Sequence, residues 1–381
     1  MLDRRRLILT TAALTVGGAA NPAQANPSPR DEELAAAFGG SGAPALAGAV
    51  IGRDGLIWTA AIGVRAAGGE DAVTDHDLWH LGSNTKAMTA MLYGRLVEDG
   101  LARWGATVPE LFPDLDLDAA WANTTIEDLM SHRAGLLDEA VLDLPTRAAG
   151  FSDPRPVDEQ RTDLARRALA SAPTGEPGAF VYGNLNYILA GAAIERITRT
   201  TWEEAMQARL FQPLGIASGG FGPPVGDQPR GHMNLGGPVP VQPDQPGSDN
   251  PPFLGPAGTA HMTLEDYGRF LVLFLTDGGA FVTPETIAHL TTPPEGADYA
   301  LGWAVAGNSP VTGGPMLAHE GSNTMWHVTT IIAPARGLAA VAASNDHGRG
   351  GPATQGLAFR LIRPEGARTV LASSRQWSRQ G

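Results

Sequence analysis

Gly82-Ser83-Asn84-Thr85-Lys86, running on into Ala87-Met88-Thr89-Ala90-Met91-Leu92, is the stretch on which the reading of this chain turns. Met88, Leu92 and Leu96 recur four apart and the run stops at Asp99-Gly100, so the spacing predicts a helix that opens at Ser83. In a helix, residues three apart share a face one turn apart, which puts the Ser83 hydroxyl within reach of the Lys86 amine. A serine hydroxyl is a poor nucleophile at neutral pH and needs an adjacent group to take its proton. Burial favours the uncharged amine, and the positive end of the helix dipole adds a smaller push the same way, so Lys86 can be that base. The flanks are apolar, with Leu78-Trp79 before and two methionines after, which sets this pair apart from a capping serine and a solvated lysine. The same helix start aims backbone N–H groups at a developing oxyanion.

Before this stretch, Arg4-Arg5-Arg6-Leu7-Ile8, the apolar run Leu7 to Ala20 and Ala23-Gln24-Ala25 read as a twin-arginine-type export signal over residues 1–25. That run is too short to span a bilayer, and nothing else approaches the roughly 20 apolar residues a transmembrane helix needs. A periplasmic or secreted protein without stable membrane insertion is expected. With no cysteine there is no disulfide, no thiolate nucleophile and no cysteine-ligated zinc. A formal charge of -13 argues against nucleic acid and anionic membrane surfaces as partners.

Asp31 to Phe38 is a short amphipathic helix candidate, and Ala47 to Arg53 and Leu56 to Val64 flank Asp54-Gly55, a two-residue hairpin signal. Helical patterns follow the Ser83 segment at Ile126 to Met130, Leu164 to Leu169, Tyr187 to Ile197 and Trp202 to Leu210. Residues 218–256 turn into Gly, Pro, Asp and Asn with almost no periodicity, a long loop of the kind that forms a wall or lid over a site. A capping box at Thr263-Leu264-Glu265-Asp266 opens a helix to Leu275. β-type runs return at Tyr299 to Val305, Trp326 to Ile332 and Leu338 to Ser344, before a helix at Ala353 to Ile362. Strands at both ends of the chain around a helical middle predict an α/β (α+β) fold. One antiparallel sheet, flanked by N- and C-terminal helices, would be completed by both termini. The expected division is an α/β part from residues 26–82 and 257–381 and a helical insertion over 83–256.

Two further stretches can complete a site. Tyr182 and Asn184 are two apart on a tight loop before a helix, the tyrosine suited to carry a proton and the asparagine to anchor substrate. His319-Glu320-Gly321-Ser322 ends a β-type run. Strand geometry puts His319 and Gly321 on one face, the glycine allows close approach to the backbone, and the Ser322 N–H is a candidate second oxyanion donor.

Taken together, S-x-x-K at Ser83, Y-x-N at Tyr182 and a variable third motif at His319 resemble the serine β-lactamase-like superfamily, specifically the class C β-lactamase, DD-carboxypeptidase and family VIII esterase group. Leu129-Met130-Ser131-His132-Arg133-Ala134-Gly135-Leu136, Gln212-Pro213-Leu214-Gly215, Pro256-Ala257-Gly258 and Tyr299-Ala300-Leu301-Gly302-Trp303 are similar to segments of that group. The resemblance implies acylation of Ser83, proton transfers shared by Lys86 and Tyr182, and substrate contacts from Asn184. It implies an exported serine hydrolase of an ester, amide or short peptide, an esterase or D-amino-acid peptidase. The alternative is a penicillin-binding sensor that is acylated without efficient turnover. The third motif here is His-Glu-Gly, where β-lactamases of that group have Lys-Thr-Gly and some peptidases His-Thr-Gly. A glutamate facing the carboxylate of a β-lactam would repel it by about 4 kcal/mol at 4 Å and an effective dielectric near 20. Strand alternation offers Glu320 another direction, towards solvent or His327.

No cofactor or metal is implied. Asp114-Leu115-Asp116-Leu117-Asp118 begins like a calcium loop, but Ala119 replaces its glycine and Thr125 its last glutamate. His76 and His80 lack the glutamate of a zinc-protease helix, and the absence of G-x-S-x-G disfavours an α/β-hydrolase.

Overall fold

The computed structural model describes residues 27–363. The expected export signal lies outside them. The N-terminal helix Pro29–Ser41 opens on a capping box between Ser28 and Asp31 and closes on Gly42 in the left-handed region. The predicted hairpin follows as β1 (Ala45–Gly52) and β2 (Gly55–Gly63). The chain then leaves through β3 (Trp79–His80) into a tight turn at Gly82–Asn84, which feeds the helix Thr85–Glu98. Helical segments run on to Phe211. The Gly/Pro-rich stretch and its flank hold β4 (Gly220–Phe221), β5 (His232–Asn234), β6 (Pro238–Pro240) and β7 (Ala260–Met262). The last section supplies β8 (Ala304–Ser309), β9 (Gly314–Gly321), β10 (His327–Ala333), β11 (Leu338–Ser344) and the C-terminal helix His347–Leu361.

Six of these strands form one antiparallel sheet in the order β2-β1-β11-β10-β9-β8. The two ends of the chain meet at β1 and β11, in register from Leu46 opposite Ser344 to Gly52 opposite Leu338. Strand alternation sorts their side chains between two cores. Leu46, Val50, Ile331 and Ala340 face Leu34, Leu357 and Leu361 of the two terminal helices. Ala47, Ile51, Val328, Ile332 and Val341 face the larger core, which includes Met88, Met91 and Leu92 behind the Gly82–Asn84 turn. Burying a leucine, isoleucine or methionine side chain contributes roughly 1.5–3 kcal/mol. The Thr85–Glu98 helix is therefore held by its apolar side chains, and Lys86 is carried into the interior with them.

The C-terminal helix opens at His347, six residues before the expected Ala353, the helix from Leu264 ends at Val272 and not at Leu275, and two further details differ from expectation. The stretch 218–256 is not structureless: β4 joins β3 and β7 in a three-stranded sheet, and β5 pairs with β6. These strands are two or three residues long, and β6 reads Pro238-Val239-Pro240, so neither periodicity nor β propensity could reveal them. The strand expected from Tyr299 begins at Ala304, because Tyr299 to Trp303 closes a turn in which the Ala300 N–H bonds the Trp303 carbonyl.

Candidate active site

Ser83 lies in the Gly82–Asn84 turn, two residues before the helix Thr85–Glu98 that was expected to open at Ser83 itself. Gly82 has φ 50°, and a Cβ there would come within 2.3 Å of the Ser322 nitrogen. A Cβ on Gly321 would meet the Leu81 carbonyl oxygen at 2.0 Å and the Ser83 nitrogen at 2.9 Å. Only glycine at both positions lets the end of β9 lie directly on the turn that carries Ser83. That contact brings together the backbone at Ser83, at the start of the helical segment, and at Ser322, the candidate second oxyanion donor.

Lys86 is fully buried, with Nζ 3.0 Å from Ser83 Oγ, 2.9 Å from Asn184 Oδ1 and 2.8 Å from the Ala257 carbonyl oxygen. Asn184 Nδ2 donates to the Asp138 carboxylate at 3.2 Å, which fixes the amide with its oxygen towards the lysine. The amide and carbonyl oxygens can only accept, so they take two hydrogens of the amine. The third position faces a hydroxyl, which can give as well as take. A neutral amine thus has its lone pair aimed at the Ser83 O–H, the arrangement a general base requires. Burial lowers the Lys86 pKa from 10.5 to about 7, against the opposing pull of the Asp138 carboxylate.

Tyr182 reaches Ser83 from the other side. Its hydroxyl interacts with the serine, and its ring centroid is 4.8 Å from Lys86 Nζ while the outer part of the ring stays exposed. Burial pushes the pKa of its hydroxyl up, so Tyr182 stays protonated at neutral pH and has a proton to give. His132 adjoins it with ring centroids 4.5 Å apart, and burial holds His132 well below its ordinary pKa. His319 faces the same space. Its Nδ1 donates to the Glu320 carbonyl at 2.7 Å, so its Nε2 accepts from the Tyr299 hydroxyl at 2.9 Å. Burial, and secondarily the nearby lysine, lower the His319 pKa to about 4. The third motif therefore presents an uncharged ring at neutral pH.

Glu320 takes the other direction. Its carboxylate lies 3.8 Å from His327 Nε2 and interacts with Gln355 of the C-terminal helix. Burial pushes its pKa up, but these partners outweigh that and hold the carboxyl below its usual range. The expected repulsion of a substrate carboxylate is corrected accordingly: β9 alternation sends His319 to one face and Glu320 to the other.

The structure thus brings Ser83, Lys86, Tyr182, Asn184, His319, Gly321 and Ser322 to one locus. Asp138 was not singled out from the sequence. It accepts from Asn184, from the Leu185 N–H at 2.8 Å and from Arg147 at 3.3 Å, in a loop that offered no periodic signal. The Ala257 carbonyl was missed as a partner of Lys86, although its Pro-Ala-Gly setting was noted. Among the described residues no group of three or more His, Asp or Glu could hold a metal, and no helix is long and apolar enough to cross a membrane.

A serine, a buried lysine and a tyrosine thus meet where a helical region adjoins an antiparallel sheet. The chain belongs to the Beta-lactamase family, which matches residues 32–362. It is 32% identical to penicillin-binding protein 4 of Amycolatopsis lactamdurans over 60% of this chain and 58% of that protein. Over 45% of this chain and 46% of the other, it is 31% identical to esterase EstB of Burkholderia gladioli. The chain spans 31% to 64% of the length of the curated relatives it matches. Its fold is that of the D-amino acid amidase from Ochrobactrum anthropi SV3 solved with D-phenylalanine, with a TM-score of 0.71, 18% identity and coverage of 88% of this chain and 99% of that one.

Proposed function

We propose that this protein hydrolyses uncharged esters, or amides, through an acyl-enzyme on Ser83. The observation that carries the reading is the coordination of Lys86, whose two obligate acceptors leave its third position to the Ser83 hydroxyl. In acylation the Ser83 proton moves to Lys86 Nζ as Oγ bonds the substrate carbonyl carbon. The carbonyl oxygen takes up the negative charge beside the Ser83 and Ser322 amides. When the tetrahedral species collapses, Tyr182 donates its proton to the leaving alkoxide or amine and regains one from the lysine. Water then attacks the ester on Ser83 with the same groups in reverse. The relatives named as an esterase and an amidase support both substrate types.

The charge of the third motif supports the preference for uncharged substrates. By the family resemblance, His319-Glu320-Gly321 stands where β-lactamases have Lys-Thr-Gly, and a neutral ring at His319 offers no cation to a substrate carboxylate. The test is a panel of p-nitrophenyl butyrate, nitrocefin and a D-alanyl peptide on the mature protein, with intact mass followed during turnover. Ester hydrolysis is expected to dominate, and Ser83→Ala is expected to lose both the adduct and activity by several orders of magnitude. Activity of Ser83→Ala within tenfold of wild type would sink the assignment. A stable adduct without product release would favour the sensor alternative.

A further inference from the structure

The two oxyanion amides come from distant parts of the chain, the turn before the Thr85–Glu98 helix and the turn after β9. A third segment touches both. Asp249, from the Gly/Pro-rich stretch, is 7% exposed. Its Oδ2 lies 2.8 Å from His80 Nε2, and its Oδ1 accepts from Asn323 Nδ2 at 2.8 Å and from the Asn250 N–H at 2.7 Å. His80 is fully buried, and its Nδ1 accepts the Gly82 N–H at 3.2 Å. The ring proton is therefore on Nε2, donated to the carboxylate. The Asn323 side-chain oxygen accepts from the N–H groups of Met325 and Trp326 at 3.2 and 3.1 Å, which fixes its amide group with the NH2 towards Asp249.

We infer that Asp249 is a positioning residue that sets the separation of the two oxyanion amides. Through His80 it grips Gly82, the neighbour of Ser83. Through Asn323 it grips the residue after Ser322. None of the three side chains need touch substrate. The chemistry demands an aspartate, because both oxygens must accept and three donors converge on them. Asparagine would offer one acceptor and turn an NH2 against a donor, and an apolar residue would leave buried donors bare. This gives the Gly/Pro-rich stretch a role in the Ser83 reaction proposed above, on which the inference rests.

The test compares Asp249→Asn, Asp249→Ala and His80→Gln, the last keeping a donor for Asp249 while removing the acceptor of the Gly82 N–H. Active sites are counted by exhaustive covalent labelling of Ser83 with a fluorophosphonate, so that kcat is expressed per competent molecule. Each variant is assayed on p-nitrophenyl butyrate and inhibited with phenylboronic acid, whose tetrahedral adduct places an anionic oxygen where the oxyanion forms. Displacing one donor predicts a fall in kcat per labelled site of about 10- to 100-fold, with KM within about threefold and weaker boronate inhibition in parallel. A kcat per labelled site within about threefold of wild type in a folded variant overturns the inference, as does a fall in kcat with unchanged boronate affinity. Should the Asp249 variants fail to fold, His80→Gln decides. A Ser83→Ala protein that keeps its activity would instead fault the acyl-enzyme reading, independently of Asp249.

Discussion

Lys86 is the only lysine in the chain, and its pKa of about 7 makes a signed prediction on both rate and stability. As a base it must be deprotonated, so kcat/KM should rise with pH and level off above about 7. A flat profile between pH 5.5 and 8.5 would contradict this role. Between about 7 and 10.5 the unfolded chain holds a proton that the folded one does not, so this group makes stability rise with pH. Its penalty is largest below about 7, of order 5 kcal/mol, and fades towards 10.5. Lys86→Met removes that penalty but leaves the Ala257 and Asn184 oxygens without a donor, which costs about 1–3 kcal/mol each. The absolute change is thus a near balance, whereas its pH dependence is not. Relative to wild type, the variant should lose about 3 kcal/mol of its advantage between pH 7 and 9.5 in urea melts. A single resonance from 15Nζ-lysine would read the same titration directly.

The elements around the site differ in how far the sequence discloses them, and the reason is the range of the forces that build them. Ser83 and Lys86 were legible because a three-residue spacing on a helix is local geometry, and the apolar Met88, Leu92 and Leu96 announce that helix. The β1–β2 hairpin and β11 were legible from β-rich runs and Asp54-Gly55. Asp138, Asp249 and the Ala257 carbonyl were not, because each acts from an aperiodic segment whose position depends on tertiary packing. β9 lies between these cases. Its alternation placed His319 and Gly321 on one face, while family analogy drew Glu320 towards substrate, and in the structure alternation prevails. With its carboxylate at His327 and Gln355, Glu320→Thr should leave the ratio of nitrocefin to p-nitrophenyl butyrate kcat/KM within about threefold of wild type, less than the 1.4 kcal/mol that marks a tenfold effect. A selective rise for nitrocefin would restore Glu320 to the cleft.

Across the whole molecule, the cleft depends on how the helical middle is joined to the segment that returns to the sheet. Arg161, in the helix Val157–Leu169, is fully buried. Its guanidinium binds Glu195 of the helix Asn184–Thr198, Glu203 of the helix Trp202–Met206, the Phe253 carbonyl at 3.1 Å and the Pro252 carbonyl at 3.0 Å. One side chain thus ties three helices to the turn that delivers the Ala257 carbonyl to Lys86. Lysine could not replace it, since the contacts need the planar fork and its five donors. Arg161→Met leaves the buried Glu195 carboxylate, the half-buried Glu203 carboxylate and two carbonyls without their cation, and breaking a buried pair of this kind typically costs about 3–5 kcal/mol. A lower Tm is expected, together with reduced turnover per folded molecule as the Ala257 carbonyl loosens. The triple change Arg161→Met, Glu195→Met and Glu203→Met removes the charges together. It should recover most of the stability, because replacing a buried ion cluster by apolar groups is often near neutral. Turnover is the sharper readout, since the triple variant still lacks the donors to Pro252 and Phe253. Recovery of Tm without recovery of kcat would show that Arg161 serves the site through those carbonyls. Melting of Arg161→Met within about 1 kcal/mol of wild type would mean that the joint is held by apolar packing instead.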